Sequence, residues 1–297
     1  MPIRPRLDGI HAPIPTPFDA DGEVDVNALT GTVRRLAASP LAGVLALGSN
    51  GEAALLDEAE SERVIDAVRM SLPKEKLLLV GVGRESTRGT LRAARRAAAL
   101  GADAVLVRTP SAFRAHVTQE ALAAHFKAVA DASPVPVLLY HLPGATGVTL
   151  AADVVRRVAD HGNVVGIKET SPDLARLAQF VAAGGRGVRV LSGWAPVLYP
   201  AIVMGAAGGI LAVANVVPEA CVELFAHARS GRHEEARDLQ RRLTPLAELV
   251  STGFGVAGLK FALDRLGAQG GHVRAPLQPL GQSGRQAIIQ ALDAWRR

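Results

Sequence analysis

Leu77-Leu78-Leu79-Val80-Gly81-Val82, then the run Thr87–Leu100, then Ala104-Val105-Leu106-Val107 hold the pattern that decides the fold. The two outer runs are short, apolar and rich in branched residues, as buried strands are. The run between them has amphipathic helical periodicity, with arginines alternating with alanines. Strand, helix, strand in this order is a parallel βα repeat.

The same alternation extends in both directions. Strands are predicted at Gly9–Pro13, Gly43–Leu47, Leu77–Val82, Ala104–Val107, Val137–Tyr140, Val164–Lys168, Val188–Leu191 and Gly209–Val213. Helical patterns lie between them, among them Asn27–Ala38, Glu58–Ser71 and Thr118–Asp131, with Asp57 and Thr118 placed as N-terminal caps. Eight such units make a closed (β/α)8 TIM barrel. An open doubly wound sheet is the runner-up, but it calls for a glycine-rich turn after its first strand, and Ala12-Pro13-Ile14-Pro15-Thr16-Pro17 is proline-rich instead. Strand signals stop after about Ala228. Glu234–Val250, Val256–Leu266 and Gly284–Trp295 then read as helices. The expected division is a catalytic barrel over residues 1–228 and a three-helix region over 229–297.

Composition excludes several classes. The chain has 297 residues, 48% of them hydrophobic and only 4% aromatic, so a large core must be built from aliphatic side chains. The net charge of +5 raises the question of nucleic acid. Its arginines are spread over helices without interleaved aromatics, which argues for solvated helix faces. The one cysteine, Cys221, has no neighbouring base or cation and fits a packed thiol in a reducing cytoplasm. Met1-Pro2-Ile3-Arg4-Pro5-Arg6-Leu7 lacks the apolar core of a signal peptide. Trp194–Pro218 carries no charge, but Pro196, Pro200, Gly205 and Gly208-Gly209 break it, so a buried helix and strand explain it better than a membrane span. His233-Glu234-Glu235 lacks a second histidine at helical spacing and does not argue for a metal.

In a barrel of this kind the residues just past each strand's C-terminus carry the chemistry. Strand two ends in Gly48-Ser49-Asn50-Gly51-Glu52, strand five in Tyr140-His141-Leu142-Pro143, and strand six in Lys168-Glu169-Thr170. Lysine is scarce, five residues against twenty-eight arginines, and Lys74, Lys76, Lys127 and Lys260 read as loop or helix surface. That leaves Lys168 as an amine at the mouth of a packed barrel, where poor solvation favours the uncharged nucleophile that forms Schiff bases with ketones. A lysine snorkelling from a strand end is the structural alternative. Tyr140 reads as a proton shuttle or a core aromatic. The turn at Ser49-Asn50, between two glycines, exposes amide N–H groups beside a hydroxyl and suits a carboxylate, or else is an ordinary βα turn.

Gly48–Glu52, Tyr140-His141-Leu142-Pro143-Gly144-Ala145-Thr146-Gly147 and Gly166-Ile167-Lys168-Glu169 together resemble the dihydrodipicolinate synthase/N-acetylneuraminate lyase family of pyruvate-dependent class I aldolases. The resemblance continues through Gly208–Val216, Glu235-Ala236-Arg237, Arg242–Leu246, Gly258-Leu259-Lys260 and Arg274-Ala275-Pro276-Leu277, so it covers nearly the whole chain. It implies that Lys168 forms the imine, that Tyr140 relays protons, and that Ser49 and Asn50 hold the pyruvate carboxylate. Gly193 and Ile210 fall where the family lines the pyruvyl pocket. It also implies no metal or organic cofactor, since the covalent lysine imine is the electron sink. Pyruvate, an aldehyde and a homotetramer built from dimers are the implied partners.

Two departures bear on the substrate. Where dihydrodipicolinate-forming members carry an arginine for the aldehyde's carboxylate stands Ala145, and where an interface tyrosine is expected stands Ser111-Ala112-Phe113. With the Ser-Asn turn and the Arg-Ala-Pro-Leu tail, these make the chain more similar to 4-hydroxy-2-oxoglutarate aldolase. The alternatives are dihydrodipicolinate synthase, with Arg108 or Arg114 as a displaced cation, a 2-keto-3-deoxy sugar acid aldolase, and a weakly catalytic 2-oxo acid binding protein.

Overall fold

The computed structural model describes residues 5–296, so the first four positions of the N-terminal Met1–Leu7 stretch lie outside the described residues. Eight parallel strands close into a barrel: β1 (Gly9–Pro13), β2 (Gly43–Ala46), β3 (Leu77–Gly81), β4 (Ala104–Arg108), β5 (Val137–His141), β6 (Val164–Glu169), β7 (Arg189–Ser192) and β8 (Gly208–Ile210). Closure is made by β8 against β1, with Gly9 opposite Gly208 and His11 opposite Ile210. The expected TIM barrel is the observed fold.

Helices α1 (Val26–Ala37), α2 (Glu58–Ser71), α3 (Thr87–Ala99) and α4 (Gln119–Ala132) follow β1 to β4. The single turn α5 (Pro143–Thr146) precedes α6 (Ala152–Ala159), and α7 (Leu174–Gly184), α8 (Leu198–Val203) and α9 (Pro218–Arg229) complete the outer ring. The caps read from sequence are present. Asp57 and Glu60 form a reciprocal capping box on α2, and the Thr118 hydroxyl accepts from the Ala121 amide at the start of α4. Three further helices, α10 (His233–Glu248), α11 (Gly255–Arg265) and α12 (Gln282–Arg296), pack their Leu243, Leu246, Leu259, Leu263 and Ile288 into the apolar layer that surrounds the barrel.

The Trp194–Pro218 stretch becomes α8 and then β8, and no helix among the described residues is long and apolar enough to cross a membrane. The last strand is shorter than its apolar run. Instead of continuing to Val213 it stops at Ile210, and Ala212–Asn215 forms a 3-10 turn. The reason is Asn215, whose side-chain amide donates to the carbonyls of Pro13 at 2.9 Å and Ala212 at 3.0 Å, curling the chain back over β1.

Two apolar layers result. Leu45, Leu79, Leu106, Leu138, Tyr140, Val165, Leu191 and Ile210 belong to the inner one, while Val44, Val80, Val105, Leu139, Ile167 and Val190 pack outward against helices. Strand alternation accounts for this division everywhere except in β6. There Val137 pairs with Val164 but Leu138 pairs with Gly166, so one extra residue is inserted. Val165 faces inward and Ile167 outward, so the irregularity lies between them and brings Lys168 inside, in register with Tyr140. Strict alternation from Val165 would have turned the lysine toward the helices.

One buried group ties this fold to pH. His11 is fully buried with Nε2 3.1 Å from the Leu7 carbonyl, and burial pushes its pKa down from 6.5 to about 4. The unfolded chain therefore binds this proton first. Stability is fully present above pH 6.5 and declines as pH falls toward 4, by about 3 kcal/mol from this group. Urea unfolding at a series of pH values should show a shallower loss over that window in His11→Gln than in the parent chain.

Candidate active site

Tyr140 and Lys168 are paired across β5 and β6 near the strand ends. The lysine Nζ donates to the Tyr140 hydroxyl at 3.3 Å and sits 4.4 Å from the ring centroid. The same phenol lies 3.5 Å from Ser49 Oγ, which comes from the turn after β2. Three groups far apart in sequence thus form one chain of contacts from amine to phenol to hydroxyl. Lys168 is only 5% exposed, whereas Ser49 is exposed and Asn50 half-buried. A cavity of about 520 Å³ opens over them. Ser49 and Tyr140 line it, but Lys168, Asn50, Gly193 and Ile210 do not. Phenol and turn thus reach one cavity, through Tyr140 and Ser49, while the amine is tucked against the Tyr140 ring.

The turn at Ser49-Asn50 is built differently from the glycine-driven bend expected. The left-handed residues are Leu47 (φ 54°) and Glu52 (φ 51°), not Gly48 or Gly51. Leu47 is accommodated because Gly81 lies beside it: a Cβ there would fall 2.0 Å from the Leu47 carbonyl oxygen. The turn closes through Gly51 N–H to the Gly48 carbonyl and Glu52 N–H to the Ser49 carbonyl. Among the described residues the amides of Ser49 and Asn50 donate to no protein acceptor, which leaves them free for an anion.

Glu52 is held from the far end of the chain, and here a sequence expectation is overturned. Lys260 is not on a helix surface. Its side chain is buried, and Nζ donates to Glu52 Oε1 and to the His272 carbonyl, both at 2.5 Å. Burial pushes the Lys260 pKa below the ordinary lysine range, and Glu52 opposes that shift. The second Glu52 oxygen accepts the Arg274 amide at 2.9 Å, while the Arg274 guanidinium pairs with Glu60. Leu277, three residues on, reaches the cavity wall. The Arg-Ala-Pro-Leu tail therefore both braces the turn and helps shape the cavity.

On the opposite side, Gly193 follows β7. A Cβ at this position would sit 1.9 Å from Thr170 Oγ1 and 2.9 Å from Lys168 Cε, so only glycine fits. Ile210 lies in the inner apolar layer with Tyr140. Thr170, quoted at the end of strand six but given no role there, places its buried Oγ1 against this glycine, without a hydrogen-bond partner among the described residues. A second unforeseen pair is His141 and Glu169, one residue beyond Tyr140 and Lys168. His141 Nδ1 and Glu169 Oε2 are 2.5 Å apart, Ser171 donates to the other oxygen, and Phe180 of α7 packs edge-on to the imidazole. This pair clamps β5 to β6 outside the barrel, just behind the inward-facing phenol and amine. Cys221 is the packed thiol expected, fully buried with its pKa pushed up by burial.

The two departures also have places. Ala145 lines the cavity. Phe113 is 74% exposed and lies off the cavity wall, so within one chain it does not fill the space of the missing tyrosine. Of the two displaced cations considered, Arg108 lines the cavity and Arg114 does not. Arg84, not considered at all, does.

Alongside the barrel and the Lys168–Tyr140 contact at its strand ends, sequence relationships give the family. The chain belongs to the Dihydrodipicolinate synthetase family, whose model matches residues 6–295, and is a lyase. It is 36% identical over 281 residues to a probable mitochondrial 4-hydroxy-2-oxoglutarate aldolase of Emericella nidulans, covering 93% of this chain and 91% of that one. It is 35% identical over 298 residues to L-threo-3-deoxy-hexylosonate aldolase of Hypocrea jecorina, covering 96% and 94%. Among solved structures, dihydrodipicolinate synthase from Thermotoga maritima superposes with a TM-score of 0.94 at 30% identity, over 98% of this chain and 99% of that one.

The Gly193–Thr170 approach is directly testable. Gly193→Ala should destabilise the fold by about 1–3 kcal/mol through overpacking. Combining it with Thr170→Ala should recover part of that loss in a urea-denaturation double-mutant cycle; strict additivity of the two changes would contradict the contact.

Proposed function

We propose that this chain is a class I aldolase that reversibly cleaves a 2-oxo-4-hydroxy acid of the 4-hydroxy-2-oxoglutarate type to pyruvate and an aldehyde such as glyoxylate. The observation that carries the reading is the continuous contact from Lys168 Nζ through the Tyr140 hydroxyl to Ser49 Oγ. In this reading Ser49 and Asn50 hold the 2-oxo acid carboxylate by hydroxyl and amide N–H, and Gly193 and Ile210 bound the pyruvyl group. Residues 1–228 carry the chemistry and residues 229–297 brace it, through Lys260 and Arg274.

The proposed steps use these groups in turn. The uncharged Lys168 amine adds to the C2 ketone to give a carbinolamine. Tyr140 protonates the departing hydroxide, leaving water, a protonated imine and the phenolate. The phenolate takes the proton of the C4 hydroxyl, and the C3–C4 electron pair flows into the imine as the aldehyde leaves. The resulting enamine is protonated at C3 by Tyr140. Water then adds at C2, its proton returning to the Tyr140 phenolate, and the carbinolamine collapses to pyruvate, the free Lys168 amine and the neutral phenol. No step calls for a metal or an organic cofactor, because the imine supplies the electron sink. Ser49, in contact with the phenol, orients it and stands in for the second hydroxyl of a longer relay. Phe113 offers no proton to take that part.

A 3-deoxy sugar acid aldolase is the second reading. The cavity of about 520 Å³ has more room than glyoxylate fills, which favours a longer aldehyde. A coupled assay of pyruvate release, run on 4-hydroxy-2-oxoglutarate, on a 2-keto-3-deoxy sugar acid, and in the condensation direction with aspartate semialdehyde, separates these readings. The first substrate should give the highest kcat/KM. Lys168→Ala should abolish release, and Tyr140→Phe should lower kcat by about 10²–10⁴-fold while an imine still forms. Undiminished pyruvate release by Lys168→Ala would refute the assignment.

A further inference from the structure

Four charged side chains line the cavity: Glu52, Arg84, Glu85 and Arg108. Their neutralisation is unequal. Glu52 is matched by the buried Lys260 and the Arg274 amide. Glu85 and Arg108 match each other at 2.8 Å, and Glu85 is further held by the amides of Ser111 at 2.7 Å and Ala112 at 2.8 Å. Those donors, against the opposing effect of burial, keep its carboxyl below the usual range, so Arg108 stays paired with an ionised Glu85.

Arg84 is different. Its partner Glu58 is 65% exposed, lies off the cavity wall, and meets only Nε at 3.2 Å. Nη1 makes a long 3.5 Å contact to the Gly83 carbonyl, and among the described residues Nη2 has no protein acceptor. An exposed, single-contact pair of this kind is weak and yields readily to a better-placed anion. The backbone of Arg84, by contrast, is fixed. Its amide donates to the buried Thr90 hydroxyl at 3.0 Å, and that hydroxyl donates back to the Arg84 carbonyl at 3.3 Å. The cavity thus holds one cation, on a rigid base, without a matching carboxylate on its wall.

We propose that Arg84 is the specificity residue for a second carboxylate, carried on the aldehyde half of the substrate. The inference rests on the aldolase reading, in which the first carboxylate is taken by the Ser49-Asn50 turn. It narrows the substrate class to 2-oxo-4-hydroxy dicarboxylates, so that the acceptor aldehyde itself carries a carboxylate, as glyoxylate does. The second carboxylate displaces Glu58 from the guanidinium and is bound by the Nη2 side. Ala145, which also lines the cavity, is small and supplies no competing charge.

The experiment compares glyoxylate with glycolaldehyde, nearly equal in size but uncharged, as acceptors for pyruvate, using the full-length parent chain, Arg84→Met and Arg84→Lys. Arg84→Met should lower kcat/KM for glyoxylate by about 10- to 100-fold, the worth of a hydrogen bond to a charged group. It should leave glycolaldehyde nearly unchanged, with Arg84→Lys in between for glyoxylate. An equal loss on both acceptors, no loss on either, or a parent enzyme that prefers glycolaldehyde would overturn the proposal. Borohydride trapping of pyruvate, run alongside, separates the two levels. Trapping in both parent and Arg84→Met leaves the aldolase reading standing whatever the acceptor preference, whereas a parent chain that traps none removes that reading and this inference with it.

Discussion

The buried ion pair between Lys260 and Glu52 joins residues 208 positions apart, and the geometry of the site depends on it. Glu52 ends a turn that holds Leu47 and itself in the left-handed region, a conformation costing about 1 kcal/mol or more at each non-glycine residue. Such a turn persists only if its surroundings over-determine it. Here they do: Gly81 admits Leu47 from one side, and Lys260, with the Arg274 amide, fixes Glu52 from the other. Removing one member would leave its partner charged, buried and unmatched, which typically costs about 3–5 kcal/mol. Helix α11 and the tail after it are thus part of the candidate site's architecture, since Lys260 and Arg274 hold the turn that presents the amides of Ser49 and Asn50.

Across the barrel a second constraint acts on the lysine itself. Its direction is set by one inserted residue in β6, and its position by the absence of a side chain at Gly193. The His141–Glu169 clamp holds the same two strand ends from behind. Amine and phenol are therefore fixed from three sides, the preorganisation that the proposed covalent mechanism needs. The distal half of the cavity is treated otherwise, with Arg84 carried on a fixed backbone but only loosely neutralised.

Local pattern made most of the frame legible. Runs of Val, Leu and Ile between helical stretches located all eight strands, and Asp57 and Thr118 located two helix starts, because those signals are short-range. Strand ends shifted by one residue, and the end of β8 by three, since a run's apolar character does not say where its last ladder bond falls. β8 was over-extended for that reason, the cause being a side-chain amide, Asn215, that draws the chain off the sheet. Lys168, Tyr140 and Ser49 were legible as strand-end residues once the strands were counted. The bulge that turns Lys168 inward was not, because Gly166 looks like any strand glycine. Lys260 was misread for the opposite reason: its local helix is ordinary, and only a carboxylate two hundred residues away makes it a buried partner. Arg84 was passed over because, in a chain with twenty-eight arginines, nothing local marks the one whose counter-ion is weak.

The central claim is that Lys168, and no other amine, bonds covalently to a 2-oxo acid. Reduction of the protein with sodium borohydride in the presence of pyruvate, followed by digestion and peptide mass mapping, tests it most directly. A single reduced pyruvate adduct is expected on the peptide containing Lys168, absent when either reagent is omitted. An unmodified Lys168 peptide, or an adduct on Lys260 or another lysine in its place, would contradict it.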